Sequence, residues 1–251
     1  MKSSTINKGK DILFYSIGII IIIVIWSIIS AIENNILYPS VLDVLKDIFN
    51  LLTEWNSLKL IGLTIIKLIL LIGISYIISV LLAIVAYKFE WVKKILLPII
   101  TIMRAIPVAT VVILLILFVS LKYAPLIITI FVIVPVAYES IYTTLKDIDR
   151  DVLDEVRMNS NINLKIILTL FFPMKKVNIL SAVLQTCGLG LKVLVMSEIL
   201  TQGINTIGGN IQLARSNIDI TRVFAWTIIL LALILIIELG LNLLRNRFEK
   251  N

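Results

Sequence analysis

Apolar residues along this chain fall into long, nearly unbroken runs, not into the one-sided stripe of a soluble helix. A helix that crosses a bilayer needs about 17–25 mainly apolar residues. The first such run, Ile12–Ile32, carries no charge and follows Lys2, Lys8 and Lys10. A basic start of this kind also opens a signal peptide, but the run is too long and no small-x-small cleavage site follows, so it is expected to be a retained first span. The second span is Leu60–Tyr87, whose one charge, Lys67, lies near an end and can snorkel to the interface. The third region, Ile95–Leu121, is interrupted by Pro98, Arg104 and Pro107, which predicts a kink or a restart near Pro107. The fourth span, Tyr123–Tyr142, contains Pro125 and Pro135 and has Glu139 near its end. The fifth, Val177–Leu200, carries Lys192 and Glu198 late in its course, and the sixth, Val223–Leu244, carries Glu238. The pattern predicts an all-α polytopic membrane protein of about six transmembrane helices.

Two stretches break this pattern. Residues 34–55 are mixed, and Tyr38-Pro39-Ser40 opens a short amphipathic segment. Ser40 can cap a helix that carries Val41, Val44, Leu45 and Ile48 on one face and lies at the membrane surface. Thr143–Lys176, between spans four and five, is the longest polar stretch in the chain's interior and cannot lie in hydrocarbon. No Pro/Gly/Ser-rich linker and no solenoid-type repeat divides the sequence, so residues 1–251 read as one transmembrane domain.

Composition agrees with burial in lipid. Hydrophobic residues make up 59% of the chain and mean hydropathy is +1.06, against about 45–50% apolar for a soluble domain. One cysteine, Cys187, and no histidine exclude a disulfide framework, a Cys/His metal cluster and the commonest general base. Cys187 reads as a small apolar packing residue. No catalytic residue, metal ligand or cofactor site emerges. The net charge of +7 comes from residues that flank the apolar runs, so it is an orientation signal and not a nucleic-acid footprint. With a cytoplasmic N-terminus, 15 of the 23 Lys and Arg fall on the cytoplasmic side, five fall outside, and Lys67, Arg104 and Lys192 lie within spans. Both termini and the long loop are therefore expected in the cytoplasm.

The sequence has no phosphate-wrapping G-x-x-x-x-G-K-[ST] loop. Uphill transport would need a partner or an ion gradient, and the long loop is the one sizeable docking surface. Its residues resemble the cytoplasmic motif of binding-protein-dependent import permeases, Glu-Ala-Ala, three residues, Gly, nine residues, Ile-x-Leu-Pro. Asp154-Glu155-Val156 stand at the first triplet, Ser160 at the glycine, and Leu170, Phe172 and Pro173 at the last three positions, with the spacing kept throughout. Ser160, Asn161 and Asn163 tolerate a turn where the glycine is replaced. In that family the segment, here within residues 145–175, forms a coupling helix that enters a groove of an ATPase subunit.

Flanking pieces resemble the nitrate/sulfonate/taurine branch in the same order, over roughly residues 38–240. Arg104-Ala105-Ile106-Pro107 is similar to its R-x-I-P segment, and Tyr38-Pro39-Ser40 to its Pro-rich periplasmic stretch. Gly188-Leu189-Gly190-Leu191 with Ser197-Glu198 resembles its GLAW…AE helix. Ile207-Gly208-Gly209-Asn210-Ile211 resembles its GLG-x-x-I turn, and Val223-Phe224-Ala225-Trp226 the start of its last helix. The resemblance implies a homodimeric permease in a prokaryotic plasma membrane, with a cytoplasmic ATPase beneath and an extracellular substrate-binding protein above. It points to a small anion or a thiamine-precursor-like heteroaromatic as substrate. Arg104, Pro107, Gly188, Gly190, Lys192 and Glu198 become candidates for the pathway or its gate. For the glycines and Pro107, close helix packing and a simple kink are equally available readings. Lys192 and Glu198 stand six residues apart and do not share a helical face. Three other classes stay open: an ion-coupled secondary carrier, which would usually show more spans and mid-membrane carboxylates; a membrane-embedded enzyme, for which no reactive constellation is visible; and a non-transporting scaffold.

Overall fold

The computed structural model describes residues 8–33, 37–159 and 163–250; Lys2, Asn34, Ser160 and Asn161 lie outside them. Every regular element among the described residues is helical. α1 spans Lys8–Glu33, α2 Val41–Thr53, α3 Trp55–Lys88, α4 Glu90–Ala105, α5 Val108–Phe118 and α6 Ala124–Lys146. They are followed by α7 Arg150–Asn159, α8 Leu164–Ile166, a π-helical turn Ile167–Phe171, α9 Phe172–Met174, α10 Lys176–Leu200, α11 Ile207–Ser216 and α12 Ile220–Lys250.

α6 is the central post, with α3 and α10 packed along it and α12 against α10. The α3–α6 contact follows from a stripe of small residues on α3, where Ser75, Ser79, Ala83 and Ala86 are all buried. Small side chains at this spacing let two backbones approach, and Ser79 Oγ donates to the Val134 carbonyl at 3.0 Å. Leu68, Ile133, Leu191 and Trp226, from four different helices, meet in the largest buried cluster.

α3, α6, α10 and α12 are each long and apolar enough to cross a bilayer. The third predicted span is a bent pair: α4 and α5 meet at 98°. Ile106 is extended (φ −73°, ψ 128°), as the residue before a proline must be, and Pro107 then starts α5. At 1.5 Å per residue α4 rises about 24 Å and α5 about 16 Å, so neither alone crosses a core of about 30 Å. By length and composition the described helices therefore supply four crossings, or five if the bent pair counts as one. The difference from the expected six is α1, whose apolar stretch Ser16–Ile32 is shorter than the other spans. It is exposed on nearly every side, as an all-apolar helix without an inward stripe would be.

Ser40 does cap α2, its Oγ accepting from the Asp43 N–H at 3.1 Å. Of the four residues expected on one face, three lie on the buried side and Leu45 does not. Val44 and Leu51 are buried with Val41 and Ile48 beside them, whereas Leu45 is 54% exposed. Leu45 belongs to a second apolar stripe with Leu42, Phe49 and Leu52, because α2 has apolar residues at two angular positions and α3 and α12 cover only one.

Candidate functional site

The polar stretch between α6 and α10 is mostly helical. Val152, Leu153 and Val156 of α7 pack on a cluster built from Ile148, Ile167 and the fully buried Phe171. Asp154 and Glu155 point away from it and are exposed, as is Met158 at 87%. Asp154 and Arg157 form an exposed i,i+3 ion pair at 3.7 Å, which adds little stability. The surface is thus a short helix held by one apolar face and presenting carboxylates and a methionine on the other. Beyond it, the Asn163 side chain accepts from the Ile166 N–H at 3.0 Å and caps α8. The π turn that follows ends at Phe172-Pro173, where the proline ring would displace the carbonyl four residues back and a widened turn relieves the clash. Leu170 is 38% exposed, Pro173 is exposed, and Phe172 rests on the same cluster as Val156. A groove of about 390 Å³ runs between α7 and this segment, lined by Glu155, Val156, Ile166, Leu170 and Met174 among others. The structure therefore brings Glu155, Val156 and Leu170 together; Ser160 lies outside the described residues.

At the opposite end of the bundle, the charge of Glu198 has a partner that the sequence did not suggest. Lys67 Nζ of α3 lies 3.2 Å from Glu198 Oε1 of α10. Glu198 is 2% exposed, and Lys67, at 34%, opens onto a cavity. The second carboxylate oxygen accepts the Gly208 N–H of α11 at 3.3 Å, so one side chain ties three helices. Gly208 and Gly209 make this possible: a Cβ on Gly208 would stand 2.7 Å from the Val195 carbonyl oxygen, and one on Gly209 would overlap the Gly203 carbonyl. Thr206 caps α11 by accepting the Gly209 N–H at 3.0 Å. The cavity beside the pair holds about 510 Å³ and is lined by Lys67, Lys122, Glu198, Gln202 and Thr206 among others.

Arg104, in the last turn of α4, forms an ion pair with Glu139 of α6, both half exposed. It fastens the corner at Pro107 to the central helix. Gly190 is a packing position: a Cβ there would meet Ile133 Cδ1 at 2.8 Å and Leu68 Cδ1 at 3.2 Å. Gly188 faces α12, where Glu238 Oε1 lies 3.3 Å from the place of its Cβ. Lys192 is exposed on the outer side of α10, in an apolar groove with Met196, Ile211, Thr227 and Ile234.

Three ion pairs between helices were not read from the sequence: Lys67–Glu198, Arg104–Glu139 and Asp47–Arg222, in which Arg222 Nη2 and Nε donate to the two Asp47 oxygens at 3.3 and 3.5 Å. Lys67 and Glu198 are 131 positions apart. The only available signal was that two opposite charges in separate spans each needed a partner.

The model of the family described as binding-protein-dependent transport system inner membrane component matches residues 75–250. No curated protein matches the chain.

Proposed function

The chain belongs to the binding-protein-dependent transport system inner membrane component family, and from that premise we propose that it is a homodimeric permease that admits a small solute when its α7 surface is moved by the ATPase. The family makes it the membrane-embedded permease component of an ATP-driven transporter that works with an ATPase and a substrate-binding protein. The finer reading is ours. The N- and C-termini and α7–α9 face the cytoplasm, on the charge bias of the loops. ATP hydrolysis occurs in the partner, and the whole chain acts as one domain. The substrate is a small sulfonate-, nitrate- or taurine-like anion, or a thiamine-precursor-like heteroaromatic.

The observation that carries the reading is the form of α7. Asp154 and Glu155 are exposed while Val152, Leu153 and Val156 are seated on a buried cluster that includes α3 and α6 residues. A push on the exposed face is transmitted to the bundle, because the apolar face has no slack. Leu170 and Phe172 brace this helix, and Ser160 and Pro173 stand at the motif's glycine and proline positions. The Lys67–Glu198–Gly208 tie at the far end and the Arg104–Glu139 pair beside Pro107 are discrete contacts that differ between closed and open forms, which is what a two-state carrier requires. Lys192 and Gly188 border the solute path, and Gly190 sets the spacing of the helix that lines it.

The test is the double substitution Asp154→Lys/Glu155→Lys, with the ATPase co-purified on a tagged permease. We expect bound ATPase to fall at least tenfold while the permease itself remains folded. An unchanged amount of bound ATPase would remove α7 as the dock.

A further inference from the structure

α4 crosses the central helix at a steep angle. Lys93 Nζ lies 5.6 Å from the centroid of the Tyr142 ring, and Arg104 pairs with Glu139. These contacts are eleven residues apart on α4 and three apart on α6, about 16 Å of one axis against about 4.5 Å of the other. Both lie within about 10 Å of the end of α6 at Lys146. With the 98° turn into α5, this lays α4 along the membrane boundary, at the depth of an interfacial helix, about 5–10 Å in. At 3.6 residues per turn its side chains fall into three sectors. Val92, Leu96, Ile100 and Met103 pack on the bundle. Trp91, Ile95, Ile99 and Ile102 form a second apolar stripe, and all four are exposed. Glu90, Lys93, Lys94, Thr101 and Arg104 share the remaining sector.

Resting on the reading that places this end of the bundle in the cytoplasm, we infer that the α3–α4 corner binds anionic phospholipid of the cytoplasmic leaflet. Phosphate sits against Lys88, Lys93 and Lys94, and the acyl chains cover Trp91, Ile95, Ile99 and Ile102. Charge selects this occupant. Three lysines against Glu90 leave residues 88–94 at +2, and protein meets those cations weakly. Lys88 and Lys93 stand over the rings of Phe89 and Tyr142, and Lys94 has an exposed i,i+4 pair with Glu90 at 3.7 Å. A helix basic on one side and apolar with a tryptophan on another is built for a headgroup boundary. Phe89 and Trp91, 42% and 64% exposed, stand where aromatic rings settle at that boundary. Each lysine at the surface favours an anionic lipid about fivefold, so the net charge of this corner should give a preference of about tenfold or more.

The experiment uses the complete complex with its ATPase, in phosphatidylcholine nanodiscs that also carry acyl-brominated phosphatidylglycerol or, at the same fraction, acyl-brominated phosphatidylcholine. Quenching of Trp91 is read as the difference between the parent and Trp91→Phe. We expect brominated phosphatidylglycerol to quench with an apparent affinity about tenfold higher. The preference should fall to near unity in Lys88→Gln/Lys93→Gln/Lys94→Gln and persist in Lys122→Gln at the other end of the bundle. In the unsubstituted chain, high salt should weaken it, because exposed charges are screened. Equal quenching by the two lipids in the parent overturns the headgroup selection. No quenching by either means that protein covers the stripe, and overturns the inference too. Orientation is read separately: Lys94→Cys in a Cys187→Ala background should react with an impermeant maleimide from the cytoplasmic face alone. Reaction from the outer face overturns the orientation and the leaflet together, whereas cytoplasmic reaction with equal quenching overturns the lipid site and leaves the orientation standing.

Discussion

Replacing Lys67 by methionine leaves the Glu198 carboxylate, 2% exposed, without its cation, though it still accepts from the Gly208 N–H at 3.3 Å. Removing one member of a buried ion pair costs about 3–5 kcal/mol. Lys67 is 34% exposed and one acceptor contact survives, so the loss falls at the low end, about 3 kcal/mol. Glu198→Gln is milder. Its amide oxygen still accepts from Gly208 and the freed ammonium can turn to the cavity, for a loss of about 1 kcal/mol. The double variant has no charge to strand and should lose only about 1–2 kcal/mol, a coupling of about 2–3 kcal/mol. For a chain of this size about 3 kcal/mol lowers the unfolding midpoint by about 6–12 °C. The assay is thermal unfolding of the three variants beside the parent in one lipid composition. If Lys67→Met unfolds within 2 °C of the parent, or if the two single losses simply add, the tie between α3, α10 and α11 does not hold the bundle.

Gly208→Ala should lower stability by about 1–3 kcal/mol, since its Cβ meets the Val195 carbonyl at 2.7 Å, while Gly62→Ala, with nothing within 4 Å, should be neutral; the same unfolding assay compares them. Arg222→Gln removes both donors to Asp47, 17% exposed, and should cost about 1.5–3 kcal/mol. That loss should appear as a lower midpoint and as faster tryptic cleavage at Lys46 in α2, and Asp47→Asn in the same chain should recover part of it.

Helix placement was readable in the sequence to a few residues for α3, α6, α10 and α12. An apolar run of membrane length has no soluble alternative, and charges and prolines mark its ends. The restart at Pro107 was readable for the same kind of reason, because proline acts on its immediate neighbours. The motif spacing around Asp154 and Pro173 marks the segment proposed for coupling, and the family match over residues 75–250 agrees with the permease reading. Local rules could not say whether α4 and α5 continue in line; their 98° angle depends on what each packs against.

Pairing of charges lay beyond the sequence. Lys67 with Glu198, Arg104 with Glu139, and Asp47 with Arg222 join different helices, and nothing in the chain's linear order sets which helix faces which. The same holds for glycines: Gly188 and Gly190 look alike in sequence, yet one faces Glu238 and the other is wedged against Ile133 and Leu68. Polarity and length decided by themselves that this chain is a bundle of lipid-embedded helices, since the solvent acts on each segment separately. Tertiary packing alone decided which charges are neutralised within the chain and which, like Lys192, are left facing outward, because a partner for a charge in hydrocarbon exists only where a second helix brings it within a few ångströms.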